Sequence, residues 1–246
     1  MSAAPSFQVF DTPEELAQRL ADWIVARVGA HRGRIALCLS GGTTPRRLYA
    51  LLGAAPRRDH IPWARTHCFW GDERFVPRGD PRSNFRMARE ALLQHAPIPA
   101  ENIHAVPTDR GSAADAAAEY EQTLKRFYGA DALEPGRPLF ELTLLGLGED
   151  GHIASLFPNS PALNETNKWA LPVTGQGAVD RVTLTYPTLA SSAATVFLVA
   201  GKRKHEALSH LRAGDPALPA TRLRQVGEVF VFADCAAAAA PAFSGA

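Results

Sequence analysis

Cysteine is scarce in this chain: three in 246 residues, at Cys38, Cys68 and Cys235. No two stand at zinc-ligand spacing, and an odd number suits a reducing compartment better than a disulfide framework. Cys38 and Cys68 sit inside apolar runs, where a thiol behaves as a small buried hydrophobe. A surplus of one charge is also missing. Lys and Arg total 26 against 25 Asp and Glu, a net charge of +1. That balance argues against a nucleic-acid partner, which needs a basic surplus, but it leaves room for a small anion pocket. No apolar run reaches bilayer-spanning length. Met1 to Phe10 has neither the basic start nor the apolar stretch of a signal peptide. We therefore expect a soluble cytoplasmic protein with no membrane partner. There is no internal repeat and no convincing linker. Pro135-Gly136-Arg137-Pro138 reads as a turn into the next strand, so one domain over residues 1–246 is expected, as a monomer or weak dimer.

Apolar side chains are plentiful, at 46% of residues, enough for a substantial core. Thr12-Pro13-Glu14-Glu15 opens a helix: Thr12 can cap, Pro13 suits the first helical position and Glu15 completes a capping box. Leu16, Leu20, Trp23, Ile24 and Val28 follow at helical spacing. Residues 34–39 read as a strand, 40–45 as a turn, and Leu48, Leu51 and Leu52 mark a second helix. His67 to Trp70 reads as a strand with Gly71 to Arg74 as the loop at its end. Helices are expected over 83–95, 112–128 and 202–211. Strands are expected over 140–145, 182–185, 195–199 and 229–232. Strands alternating with helices imply an α/β protein whose mostly parallel sheet is covered on both faces. Ala236 to Ala240 is low-complexity and reads as frayed helix or tail.

Chemistry concentrates at strand ends. Gly146-Leu147-Gly148-Glu149-Asp150-Gly151-His152 follows the apolar run Phe140 to Leu145, and ligands of open α/β sheets bind beyond the carboxyl ends of strands. An imidazole there suits proton transfer near neutrality. Asp150 can orient that ring, or simply cap a short helix beginning near Ile153. The letters also fit a dinucleotide fingerprint, but Pro158 stops any helix early and no strand precedes Glu165, so that reading is set aside. The other seven histidines read as surface or hydrogen-bonded core residues. Ser40-Gly41-Gly42-Thr43-Thr44-Pro45 is a glycine- and hydroxyl-rich strand-to-helix turn. Its free N–H groups make either an anion site or an ordinary turn with Thr44 as cap and Pro45 following. It lacks the Lys-Ser or Lys-Thr pair of a Walker A loop. Asp72-Glu73-Arg74 is either a solvated ion-pair loop or a place where Arg74 clamps an anion. Arg181 and Lys204 alone would be ordinary solvated side chains.

Taken together and in this order, several segments resemble the 6-phosphogluconolactonase family, within a broader group that includes glucosamine-6-phosphate deaminase. They are Ser40 to Pro45, Trp70 to Pro77, Ser83-Asn84, Gly146 to His152 with Ser155 to Pro158, Arg181 to Thr185, and Gly201 to Lys204 with Leu208. One departure is Arg82, where the family often carries an acidic residue before the Ser-Asn pair. Residues 159–179, a lid over the site, are weakly defined. The resemblance implies a three-layer α/β/α Rossmann-like domain that binds no dinucleotide. It implies hydrolysis of 6-phospho-D-glucono-1,5-lactone to 6-phosphogluconate in the oxidative pentose phosphate pathway, with a sugar-phosphate lactone as partner and no metal or organic cofactor.

On that implication, His152 takes a proton from the attacking water and Asp150 supports it. Gly41, Gly42, Thr43 and Thr44 hold the phosphate with Arg74 and Lys204. Arg181 adds a second anion contact, and Asp72 holds Arg74 in position. Arg74 is also counted with the catalytic residues. Backbone N–H groups near Gly148 to Gly151 are candidate oxyanion donors. Two alternatives stand beside this. A deaminase or isomerase of the same group would resemble Met-Asp-Glu-Tyr where this chain has Gly71-Asp72-Glu73-Arg74. A sugar-phosphate sensor would keep the fold and lack turnover.

Overall fold

A computed structural model describes residues 5–224 and 226–239. Strand β1 (Ser6–Phe10) leads into helix α1 (Pro13–Ala30), then strand β2 (Ile35–Leu39), helix α2 (Thr43–Leu52) and strand β3 (Thr66–Trp70). Strand β4 (Asp72–Arg74), helix α3 (Asn84–Ala88) and helix α4 (Ala113–Tyr128) follow, then strands β5 (Phe140–Gly146), β6 (Ala170–Val173) and β7 (Arg181–Leu184). Helix α5 (Tyr186–Ala190), strand β8 (Ser192–Val199), helix α6 (His205–Ala213), strand β9 (Glu228–Asp234) and helix α7 (Cys235–Ala238) complete the order.

Six strands form one wholly parallel sheet in the order β1-β9-β8-β5-β2-β3. Parallel strands need both faces covered, so they carry continuous apolar runs rather than alternating ones. β2 shows this, with Ile35 to Leu39 buried throughout. Leu16, Leu20, Ile24 and Val28 of α1 and Leu48 and Leu52 of α2 join the same buried cluster. From β2 the chain winds outward to β3, then returns to the other side of β2 and winds the opposite way through β5, β8 and β9. The reversal falls between β2 and β5. Segments leaving those two strands diverge and open a crevice at their carboxyl ends.

The helix starts follow local chemistry. Thr12 accepts the Glu15 N–H at 3.1 Å, while the Glu15 carboxylate reaches one residue further back than a capping box requires, to the Asp11 N–H. Two tyrosines close the strand ends. The Tyr49 hydroxyl accepts the Ser40 N–H at 2.8 Å and donates to the Ser40 carbonyl at 2.9 Å. The Tyr120 hydroxyl does the same for Trp70. Both phenols are fully buried, and desolvation pushes them well above the ordinary tyrosine range. They stay protonated and serve the backbone.

Four expectations need correction. Asp72 to Arg74 is strand β4, not loop. Residues 182–185 do not join the parallel sheet, because β7 lies in a separate antiparallel sheet ordered β4-β7-β6. Residues 83–95 are not one α-helix: α3 passes into a π-helical turn over Arg89–Leu93. Ala236 to Ala238 are not frayed, since Asp234 caps α7 through the Ala237 N–H and Ala237 is fully buried. Ala240, the end of that run, lies outside the described residues.

Candidate active site

The turn after β2 does not use Thr44 as a cap. Helix α2 begins at Thr43, with Gly42 before it at φ +106° and no side-chain cap. A left-handed backbone favours glycine at that point. Pro45 falls in the first turn, where its missing N–H is one of the groups that would lack a helical partner anyway. The result is an uncapped helix N-terminus carrying two threonine hydroxyls, a ready seat for an anion. Gly41 is glycine for a different reason. A Cβ there would stand 2.0 Å from Asn84 Oδ1.

β4 and β7 place arginines directly opposite each other, Arg74 against Arg181. Like charges in that relation repel. Burial pulls the Arg181 guanidinium below its ordinary range, Asp72 partly restores it, and Arg74 adds to the depression. Both Arg74 and Arg181 keep a buried Nε without a hydrogen-bond partner. Arg74 Nη1 donates to the Arg82 carbonyl at 2.7 Å. Asp72 does not contact Arg74. Its Oδ2 accepts the Ser155 hydroxyl at 2.7 Å and faces Arg181 Nη1 at 3.9 Å, and its Oδ1 takes a 3.3 Å bond from the Asn84 amide. Asp72 therefore faces Arg181 rather than holding Arg74 as expected.

Glu73 explains the Ser83-Asn84 pair. Its buried carboxylate accepts the N–H groups of Arg74, Asn84 and Phe85, each at 2.7 Å, and the Ser83 hydroxyl at 3.1 Å. Burial pushes this carboxyl up, and the three backbone bonds pull it part of the way back. Asn84 is thereby fixed with its amide on the Asp72 carbonyl at 2.9 Å.

After β5 the chain turns sharply. Gly148 N–H donates to the His152 carbonyl at 2.8 Å and Gly151 N–H to the Gly148 carbonyl at 3.1 Å. Those two amides are spent inside the loop and are not free for an oxyanion. No helix begins near Ile153; Ile153 and Leu156 form an isolated bridge, and Ala154 is left-handed at φ +48°. Asp150 caps nothing helical. It accepts the His152 N–H at 3.2 Å and meets His152 Nδ1 at 2.6 Å. Burial pushes the Asp150 carboxyl up, but the bonds from His152 outweigh it and hold the group below the ordinary carboxylate range. An Nδ1–H directed to Asp150 leaves Nε2 as the acceptor of a neutral ring.

These segments meet in one cleft of about 280 Å³. Gly41, Gly42, Thr43, Thr44, Asp72, Arg74, His152, Arg181 and Lys204 all line it, and Asp150 stands behind His152. Asn84 and Ala154 line it as well. Tyr49, Asn84, Ser155 and Phe157 had no role in the sequence reading. Asn84, Ser155 and Phe157 lie inside the segments that carry the resemblance, which was the available signal. Ser155 meets Asp72 and Phe157 meets Arg181 across long stretches of chain, so those roles needed the fold. Among the described residues no group of His, Cys, Asp or Glu side chains is placed to hold a metal ion, and no helix is long and apolar enough to cross a membrane.

The parallel sheet with its reversal between β2 and β5, and the cleft at that reversal, define a Rossmann-like α/β protein with an anion-suited pocket. The chain belongs to the family of glucosamine-6-phosphate isomerases and 6-phosphogluconolactonases, whose pattern matches residues 11–231. A Nostoc protein named 6-phosphogluconolactonase is 38% identical over 239 residues, covering 94% of this chain and 96% of that one. The solved 6-phosphogluconolactonase from Trypanosoma brucei superposes with a TM-score of 0.82 at 30% identity, over 97% of this chain and 99% of that one. A monomeric glucosamine-6-phosphate deaminase shares the fold, with a TM-score of 0.80 at 21% identity over 95% of this chain and 99% of that one.

Proposed function

We propose that this protein hydrolyses 6-phospho-D-glucono-1,5-lactone to 6-phosphogluconate, the lactone step of the oxidative pentose phosphate pathway, and that the whole chain acts as one lactonase domain. One observation carries the reading. An imidazole whose tautomer is set by Asp150 at 2.6 Å opens on the same cleft as an uncapped helix N-terminus, two arginines and Lys204. His152 Nε2 takes a proton from water as the oxygen attacks the lactone carbonyl. Asp150 holds the imidazolium that results. The same proton then passes to the ring oxygen as the C–O bond breaks. The phosphate, remote from the carbonyl, seats on the Gly41 to Thr44 turn with Arg74 and Lys204, and its binding energy orients the reacting end. Arg181 supplies a further anion contact, held by Asp72 and Ser155.

A deaminase needs an additional carboxylate base over the sugar. Asp72 is the carboxylate among the lining residues, and it is committed to Ser155 and Asn84. Lactone turnover without ammonia release from glucosamine 6-phosphate is therefore expected. Arg74→Ala should weaken phosphorylated lactones selectively, by about 10- to 100-fold in kcat/KM, since charged hydrogen bonds contribute about 1.5–3 kcal/mol. A comparison with unphosphorylated lactones checks this. Equal losses on both would remove Arg74 from the phosphate site.

A further inference from the structure

Phe157 touches both the proposed base and one of the two arginines. Its ring centroid lies 4.5 Å from that of His152, at 44° between planes. The Arg181 guanidinium carbon lies 5.2 Å from the same ring. The ring is partly buried and packed on the hydrophobic core, so it is anchored rather than free. The polar holds on Arg181 are long by comparison: 3.5 Å to the Ser155 hydroxyl, 3.9 Å to Asp72, and none on Nε. We propose that Phe157 is a positioning residue that fixes His152 and Arg181 relative to each other and supports positive charge on both.

The physical reason is the ring's quadrupole, whose negative face attracts cations within about 6 Å. Arg181 is a cation throughout. His152 becomes one when it takes the water's proton, so the ring favours imidazolium over imidazole while holding the guanidinium aimed into the cleft. A leucine would fill similar space and supply none of this. The other charged groups around His152 are Asp150 on its own loop, Asp72, Arg74 and Lys204 lining the same cleft, and the exposed Glu149–Arg203 pair.

The proposal rests on His152 as the base, and the test separates the two. Full-length wild type, F157L and F157Y are compared by NMR titration of the His152 ring, assigned from the His152→Ala spectrum, and by calorimetry with 6-phosphogluconate. In F157L the His152 midpoint should fall by about half to one pH unit, and product affinity should drop roughly 3- to 10-fold. F157Y keeps the aromatic face and should stay near wild type in both. An unchanged F157L, a change in only one readout, or an equal loss in F157Y would overturn the proposal. If F157L does not fold, Phe157→Met replaces it with the same expectations. The titration needs no turnover, so it stands even if His152 proves not to be the base.

Discussion

Gly148 carries no side chain because the base pair beside it leaves no room. A Cβ there would stand 2.1 Å from His152 Nδ1 and 2.5 Å from Asp150 Oδ1. Its backbone does not need glycine, since it is absent from the left-handed positions. Gly151 differs: it has φ +77°, and a Cβ there would meet Leu218 at 2.1 Å. These two glycines of one motif thus answer to separate demands, and only geometry tells them apart. Gly148→Ala should fold with a near-normal melting temperature yet lose roughly 100-fold in kcat, because a displacement of about 1 Å at a reacting group costs that much. Thermal melting beside steady-state kinetics checks this. Normal turnover would mean that the His152–Asp150 geometry does not matter.

At the scale of elements, the long periodic segments were legible from sequence. α1, α4 and the buried strands β2, β5, β8 and β9 follow from helical spacing, capping residues and apolar runs. β4 was not legible, because Asp72-Glu73-Arg74 has no strand character of its own and is extended only by pairing with β7. β6 contains Pro172 and takes its place through β7. Neither the uncapped start of α2 nor Tyr49 could be foreseen, since both depend on how the helix packs back onto β2. Tyr49→Phe tests that link. It strips the buried Ser40 N–H and C=O of their partner, at a cost of about 1–3 kcal/mol. The melting temperature should fall by roughly 2–12 °C. KM should rise more than kcat falls, because the loosened turn is the proposed phosphate seat. A melting temperature matching wild type would show that Ser40 does not depend on Tyr49.

For the whole molecule, one contribution to acid sensitivity comes from a histidine pair away from the cleft. His104 stacks on Phe69 at 4.4 Å between centroids, and its ring meets His67 at 3.1 Å. Burial, reinforced by His67, pushes His104 down to about 4. Burial also lowers His67, with Arg34 adding to it and Glu101 opposing. A base depressed in the folded state stays neutral there while the unfolded chain, with an ordinary value of about 6.5, takes up a proton. Its contribution is therefore full above about pH 6.5 and is lost as pH falls towards 4. His104→Phe should flatten that decline by about 1–2 kcal/mol after allowance for solvent screening. Melting curves between pH 7 and 4.5 check it, and parallel curves for variant and wild type would contradict it. The proposed chemistry puts lactone hydrolysis on His152 in the cleft between β2 and β5. Its most direct test is the rate of 6-phosphogluconolactone hydrolysis above the spontaneous background, in wild type and His152→Ala. We predict a clear protein-dependent rate that falls about 10²- to 10⁴-fold in the variant. No acceleration by the wild type would overturn lactone hydrolysis, and undiminished acceleration by His152→Ala would overturn His152 as its base.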